Sequence, residues 1–270
     1  MPELPEVETV VRLLRSKVVG KKILDIKNEW PRHLSSIELD ELRDRVVDTT
    51  ISDLDRRGKY ILFTLDSADY MIIHLKMTGQ LLLQRTSSVM LDHVHTVIIF
   101  SGGEELRFRD VRKFGRIYLT RDAGTIVGEL GPEPLSRSFS PGLLDKMLHG
   151  RRRVLKPLLL DQRFIAGIGN IYADESLFWA KLAPNRISNT LSRLESDQLY
   201  SSIRKTLTKA IDRGGATISD YRQPDGSEGE MQKSFSVYGR AGESCVRCAG
   251  IVERVVLGGR STFFCGSCQL

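Results

Sequence analysis

Cys245-Val246-Arg247-Cys248 and Cys265-Gly266-Ser267-Cys268 place two CxxC pairs sixteen residues apart, and they hold all four cysteines of the chain. A CxxC pair closes a tight knuckle that turns two thiolates toward one ion, and this spacing suits a tetrahedral four-cysteine zinc site. A site closed by four protein ligands holds structure and leaves no position for chemistry, so one structural Zn2+ is expected. Two disulfides, or a redox pair, are the other readings of four cysteines. The first conflicts with the absence of a secretory pattern and the second needs a βαβ context that is missing. Residues 252–264 between the knuckles are long enough for one hairpin, with Gly258-Gly259-Arg260-Ser261-Thr262 as a basic tip. On composition Arg260 is a phosphate contact or a solvated turn residue.

The opposite end offers a second kind of chemistry. A small residue after Met1 directs removal of the initiator methionine, which would leave Pro2 as a secondary amine. Such an amine titrates near neutrality, can attack an electrophilic carbon, and forms an iminium that withdraws electrons. Glu3 beside it could act as a general acid or base. Taken alone, Pro and Glu are also ordinary residues for the start of a helix.

These groups need a scaffold. Val7, Val10, Val11, Leu14 and Val18 recur at helical spacing, with acids in the first turn, basic residues later and Gly20 as the stop. Short β-branched and aromatic runs follow at 60–65, 70–75, 80–83, 94–100, 106–108 and 116–119, the pattern of an antiparallel sandwich or barrel. Breakers crowd residues 131–136, and helical patterns then run to about 213. The expected fold is therefore α+β in two domains. An N-terminal β-sandwich or barrel domain with an amphipathic helix spans 1–130, and 131–136 is a linker. A helical domain, with a long polar loop from 214, spans 137–234, and a four-cysteine finger spans 235–270.

Composition narrows the classes. Of 270 residues 41% are hydrophobic and 27% charged, which excludes disordered, collagenous and coiled-coil chains. Lys+Arg number 40 against 34 acids, a net charge of +6 that permits a polyanionic partner. No apolar run approaches a membrane span, and Glu3, Glu6 and Glu8 stand where a signal peptide would be basic, so a cytoplasmic protein is expected. Gly167-Ile168-Gly169-Asn170 has two of the glycines of a dinucleotide fingerprint, but Tyr172 stands in the third glycine's place and no strand precedes it. No nucleotide cofactor is expected.

The motifs PELPEVETV, 159–162 leading to Ala166-Gly167-Ile168-Gly169-Asn170-Ile171-Tyr172-Ala173-Asp174-Glu175, Val237-Tyr238-Gly239-Arg240 and the cysteine finger occur in one order along the whole chain. Together they resemble bacterial formamidopyrimidine-DNA glycosylases, which excise 8-oxoguanine and ring-opened purines. The resemblance implies a bifunctional glycosylase and abasic-site lyase acting on damaged double-stranded DNA in base excision repair, as a monomer. It implies that Pro2 attacks C1′ and cleaves the abasic site by β,δ-elimination through a Schiff base, that Glu3 protonates the sugar or the leaving base, that Lys59 assists proton transfer, and that Arg260, also catalytic, binds the lesion phosphates and takes part in the second elimination.

A base must leave the helix before its glycosidic bond can be reached, and the hole must be filled. The resemblance gives that role to Met77, Arg112 and Phe114, while His93, Arg151, Asn170 and Lys156 are implied DNA contacts. It also implies a helix–two-turn–helix element around 167–170. An endonuclease VIII-like enzyme for oxidised pyrimidines is disfavoured by Leu4, and a non-catalytic zinc-finger DNA-binding protein is disfavoured by the Pro2, Glu3 and Lys59 set. Asp92 and Ala183 depart from the family pattern, which usually has lysine and histidine there. The 217–234 loop matches the family poorly.

Overall fold

Helix α1 (Leu4–Val18) buries Val7, Val10, Val11, Leu14 and Val18 and leaves Arg12, Arg15 and Lys17 outside, the expected amphipathic division. Eight strands follow: β1 (Ile23–Asn28), β2 (Ile51–Arg57), β3 (Tyr60–Leu65), β4 (Tyr70–His74), β5 (Gly79–Arg85), β6 (Val94–Phe100), β7 (Glu104–Asp110) and β8 (Arg116–Thr120). They form two four-stranded sheets, ordered β1-β6-β7-β5 and β2-β3-β4-β8, in which every pairing is antiparallel. In β3 every second side chain is buried, so one face packs inward and the other does not. The inward faces of both sheets and α1 share one apolar cluster that includes Val10, Leu14, Phe63, Ile73, Phe100 and Phe108. Helices α2 (Leu39–Val46) and α3 (Gly124–Val127) complete this part.

The computed structural model describes every residue, Met1–Leu270. The chain divides into two units: Met1–Glu129 with Arg213–Glu230, and Leu130–Asp212 with Met231–Leu270. The second contains α4 (Pro141–His149), α5 (Leu155–Leu160), α6 (Asn170–Ala180), α7 (Arg193–Asp212) and the hairpin β9 (Val252–Leu257) and β10 (Arg260–Cys265). No helix is long and apolar enough to cross a membrane.

Two of the sequence-derived boundaries differ from these units. The polar loop, expected with the helices, lies in the first unit. Tyr221 is buried in the sandwich core, the Ala216 N–H donates to Glu6 at 2.7 Å, and the Leu83 N–H donates to the Pro224 carbonyl at 2.9 Å. Residues 131–136, expected as a linker, pack inside the second unit. Gly131 N–H donates to Gln162 O at 2.8 Å, and Arg204 reaches the carbonyls of Pro134 and Ser136 at 2.8 and 3.1 Å. Proline and glycine mark irregular backbone, and here its polar groups are satisfied internally.

Candidate functional site

The first unit gathers the N-terminal residues at the head of α1. Pro2 and Glu3 are both buried, and Glu3 is the N-cap. Its backbone N–H donates to Glu6 Oε2 at 2.8 Å, one half of a capping box. The other oxygen of Glu6 takes the Ala216 N–H, while Tyr221 donates its hydroxyl to the Glu6 carbonyl at 3.3 Å. Burial, with the Glu6 charge beside it, pushes the Tyr221 pKa well above its ordinary value, so that hydroxyl keeps its proton. Glu6 thus ties the polar loop to the end of the helix that carries Pro2 and Glu3. It was not singled out in the sequence; an acid three residues after Glu3 was the available signal.

Lys59 sits in the two-residue turn joining β2 to β3, where Gly58 takes φ +57° and Arg57 pairs with Tyr60. Its side chain is buried rather than splayed into solvent. His74, at the end of β4, is another residue the sequence did not single out. Its pKa is lowered to about 3, first by burial and then by the neighbouring Lys76 and Lys59 ammonium groups. The ring is therefore neutral near pH 7, and Nδ1 accepts the Lys76 N–H at 2.9 Å. A neutral ring accommodates Lys59 without a second buried cation.

Met77, Arg112 and Phe114 lie on the two loops at one end of the sandwich, β4–β5 and β7–β8. Met77 is half-buried, Phe114 is 46% exposed, and the Arg112 guanidinium stands 4.9 Å from the Phe114 ring centroid. With nearly half of its surface exposed at a loop tip, Phe114 does not pack the core. His93 is exposed at the entry to β6 with φ +65°, and His95 lies 6.4 Å away, ring to ring.

In the second unit Arg151, Arg152 and Arg153 are exposed, and Arg151 stacks over Phe164 at 5.3 Å. Lys156 breaks that run. It is fully buried, 2.7 Å from Asp174 Oδ1, and donates to the Ser261 carbonyl at 2.8 Å. The expected DNA contact is thus replaced by an internal one: α5 turns Lys156 away from the face of the three arginines. Asn170, the first residue of α6, also donates to the Ser261 carbonyl, at 3.0 Å, while its Oδ1 is buried without a partner.

The same helix holds the rest of the finger. Asp174 accepts the Phe263 N–H at 3.0 Å, and Glu175 accepts the N–H groups of Ser236, Val237 and Tyr238 at 2.9–3.0 Å. Burial pushes the Asp174 pKa up to about 7, against the pull of Lys156. Gly258 and Gly259, with φ +55° and +73°, form the hairpin tip, and the exposed Arg260 is the first residue after it.

The four Sγ atoms lie within 4.8 Å of one another, with Cys245 to Cys268 at 3.8 Å and Cys248 to Cys265 at 3.7 Å. A tetrahedron with Zn–S bonds of about 2.3 Å has edges of about 3.8 Å. Backbone N–H groups of Arg247 and Gly250 approach Cys245 and Cys248 at 3.4 and 3.3 Å. The donor set fits one zinc ion, held by these four residues.

Residues 1–117 match the family described as formamidopyrimidine-DNA glycosylase N-terminal domain, residues 130–222 its H2TH domain, and residues 242–270 a zinc finger found in FPG and IleRS. A formamidopyrimidine-DNA glycosylase of Desulfitobacterium hafniense (strain DSM 10664 / DCB-2) is 41% identical over 274 residues, covering 100% of both chains. The structure of Lactococcus lactis Fpg in complex with an abasic site containing DNA matches with a TM-score of 0.92 at 36% identity, over 99% of each chain. A Lactococcus lactis Fpg mutant in complex with a Fapy-dG containing DNA matches with a TM-score of 0.93 at 37% identity, again over 99% of each. The chain belongs to the formamidopyrimidine-DNA glycosylase family of DNA glycosylases and abasic-site lyases in base excision repair.

Proposed function

We propose that this protein removes oxidised purines, 8-oxoguanine and formamidopyrimidines, from duplex DNA and then cleaves the strand through a Schiff base on Pro2. Removal of Met1 frees the Pro2 nitrogen, which attacks C1′ while the bond from C1′ to the base breaks. Glu3 supplies a proton to the sugar or the departing base, and Lys59 assists proton transfer beside the reacting sugar. Loss of the proton on nitrogen and rupture of the C1′–O4′ bond, with the ring oxygen taking a proton, open the sugar to an iminium on Pro2. That iminium acidifies the C2′ proton, so the 3′ phosphate leaves by β-elimination and the 5′ phosphate by δ-elimination. Arg260 neutralises the lesion phosphates.

Met77, Arg112 and Phe114 fill the hole left by the flipped nucleotide, and His93, Arg151 and Asn170 bind the strand. Lys156 serves this reading indirectly, through the Ser261 carbonyl next to Arg260. Purine lesions are favoured over oxidised pyrimidines by the Fapy-dG containing DNA in the complex of the Lactococcus lactis relative and by Leu4. The enzyme acts in the cytoplasm as a monomer. The observation that carries the reading is Pro2-Glu3 buried at the head of α1, in a chain matched to its relatives over its full length.

The test is chemical trapping. Borohydride added during reaction with an 8-oxoguanine duplex is expected to yield a covalent protein–DNA adduct, and a tag retained ahead of Pro2 to abolish it. An adduct of unchanged yield with the terminus blocked would remove Pro2 from the mechanism.

A further inference from the structure

Met77 and Arg112 stand on different loops, yet one buried carboxylate holds both. Asp110, the last residue of β7, has no exposure. Its Oδ1 accepts the hydroxyl proton of Thr78, the residue after Met77. The same Thr78 oxygen then accepts the backbone N–H of Arg112 at 3.0 Å. Asp110 Oδ2 accepts the Gly115 N–H at 2.7 Å, just beyond Phe114. The Asp110 backbone joins in: its N–H donates to the His93 carbonyl at 2.9 Å, and its carbonyl accepts the Lys113 N–H at 3.2 Å. From behind, His33 is fully buried, stacks on Phe108 at 4.7 Å and places Nε2 3.6 Å from Asp110 Oδ2.

Two further observations show that this arrangement is imposed rather than relaxed. Lys76, Lys113 and His93 all take left-handed backbone, at φ +54°, +60° and +65°. Each costs a residue with a Cβ about 1–2 kcal/mol, and such strain persists only where surrounding contacts over-determine it. The loops also press on one ring. A Cβ at Gly79 would lie 2.8 Å from the Phe108 ring and one at Gly115 would lie 2.3 Å from it, so neither loop could seat there with a larger residue.

We propose that Asp110 and Thr78 are positioning residues that latch the two loops into a single wedge, so that Met77 and Arg112 enter the duplex together. The latch depends on the direction of each hydrogen bond. Thr78 has one hydroxyl proton, spent on Asp110, which leaves its lone pair for Arg112. Valine keeps the shape and loses both bonds, whereas serine keeps both. Asparagine at 110 replaces one acceptor by a donor that faces either a hydroxyl proton or an N–H.

This inference rests on the glycosylase reading above, and the experiment separates the two. Single-turnover excision would be followed with full-length, zinc-loaded parent, Thr78→Val, Thr78→Ser and Asp110→Asn. One duplex carries 8-oxoguanine opposite cytosine. The other carries it opposite a tetrahydrofuran abasic analogue, where no pairing partner must be separated and no orphaned base awaits Arg112. Thr78→Val and Asp110→Asn are expected to slow the paired duplex by at least about tenfold, a barrier change of about 1.4 kcal/mol. The loss on the pre-opened duplex should be several-fold smaller, and Thr78→Ser should restore the paired rate. Should Asp110→Asn fail to fold, the Thr78 pair carries the test. Equal losses on both duplexes, or none on either, would overturn the latch. A parent that excises the lesion from neither duplex would overturn the reading beneath it.

Discussion

The sandwich of the first unit and the finger of the second fix their charged and polar groups with different resources. The sandwich has a continuous apolar cluster spanning α1 and both sheets, from Val7 to Ile117. It can therefore carry left-handed non-glycine residues at Lys76, His93 and Lys113, because burial offsets local strain. The finger has little to pack: Phe178, Val237 and Val252 around Cys245 and Cys265. There the left-handed positions at 239, 242, 258 and 259 are all glycine, and order comes from polar fastenings to α6 and from the thiolate cluster. Where the core is large, strain is tolerated at the working loops. Where it is small, the metal and buried charges do the holding and the backbone stays relaxed.

The largest test of this contrast is metal removal. Binding of a structural zinc contributes about 10–16 kcal/mol in finger peptides, so chelation, or Cys265→Ser, should unfold β9 and β10 while the sandwich survives. Each unit has one tryptophan, Trp30 and Trp179. Trp179 lies 5.2 Å from the guanidinium of Arg247 in the first cysteine knuckle. Chelation should shift Trp179 emission, read in a Trp30→Phe background, and leave Trp30 emission unchanged in a Trp179→Phe background. A common transition in both would erase the distinction between the units.

A smaller effect is expected at the buried ion pair. Lys156→Met leaves the Asp174 carboxylate fully buried without its counter-charge, which costs about 3–5 kcal/mol. The double variant Lys156→Met, Asp174→Leu removes the stranded charge and should recover most of that loss. The measurement is urea unfolding followed through Trp179. A double variant as unstable as the single one would show that the pair acts through its bonds to Ser261 and Phe263 rather than through charge.

The same contrast explains what the sequence could reveal. The cysteine spacing, the amphipathic α1 and strands such as β3 were legible because each repeats a simple period or ligand rule. Strands β1 and β2 were missed. Their burial runs in threes rather than alternating, and register shifts at Ile23/Asp25 and Ile51/Asp53 break the two-residue period. The destination of the polar loop was illegible because it is set by Glu6, more than two hundred residues away along the chain. Lys156 was misjudged because three exposed arginines precede it, and nothing local distinguishes a buried lysine whose partner is Asp174 on the next helix. Of the site itself, motif residues were visible, while the groups that hold them, Glu6, His74, Thr78 and Asp110, became evident only through contacts between strands and loops.

The smallest expected effect concerns protons in the sandwich. His74 has its pKa lowered to about 3, by burial first and then by Lys76 and Lys59, from an ordinary value of 6.5. Between those values the unfolded chain binds a proton that the folded one refuses. The stabilisation from a neutral His74 is therefore complete above about pH 6.5 and is lost as pH falls toward 3, at about 1.4 kcal/mol per pH unit. Urea midpoints of the first unit, followed through Trp30 with Trp179→Phe, should fall between pH 6.5 and 4.5. Carboxylates such as Asp110, whose pKa burial works to raise but hydrogen bonds from His33, Thr78 and Gly115 hold below the ordinary 3.8, contribute below this range. His74→Gln should flatten the upper part of the fall, since glutamine offers an acceptor to the Lys76 N–H and takes up no proton. An unchanged slope in that variant would mean that the ring is not held neutral beside Lys59, and that the sandwich shelters a buried positive cluster after all.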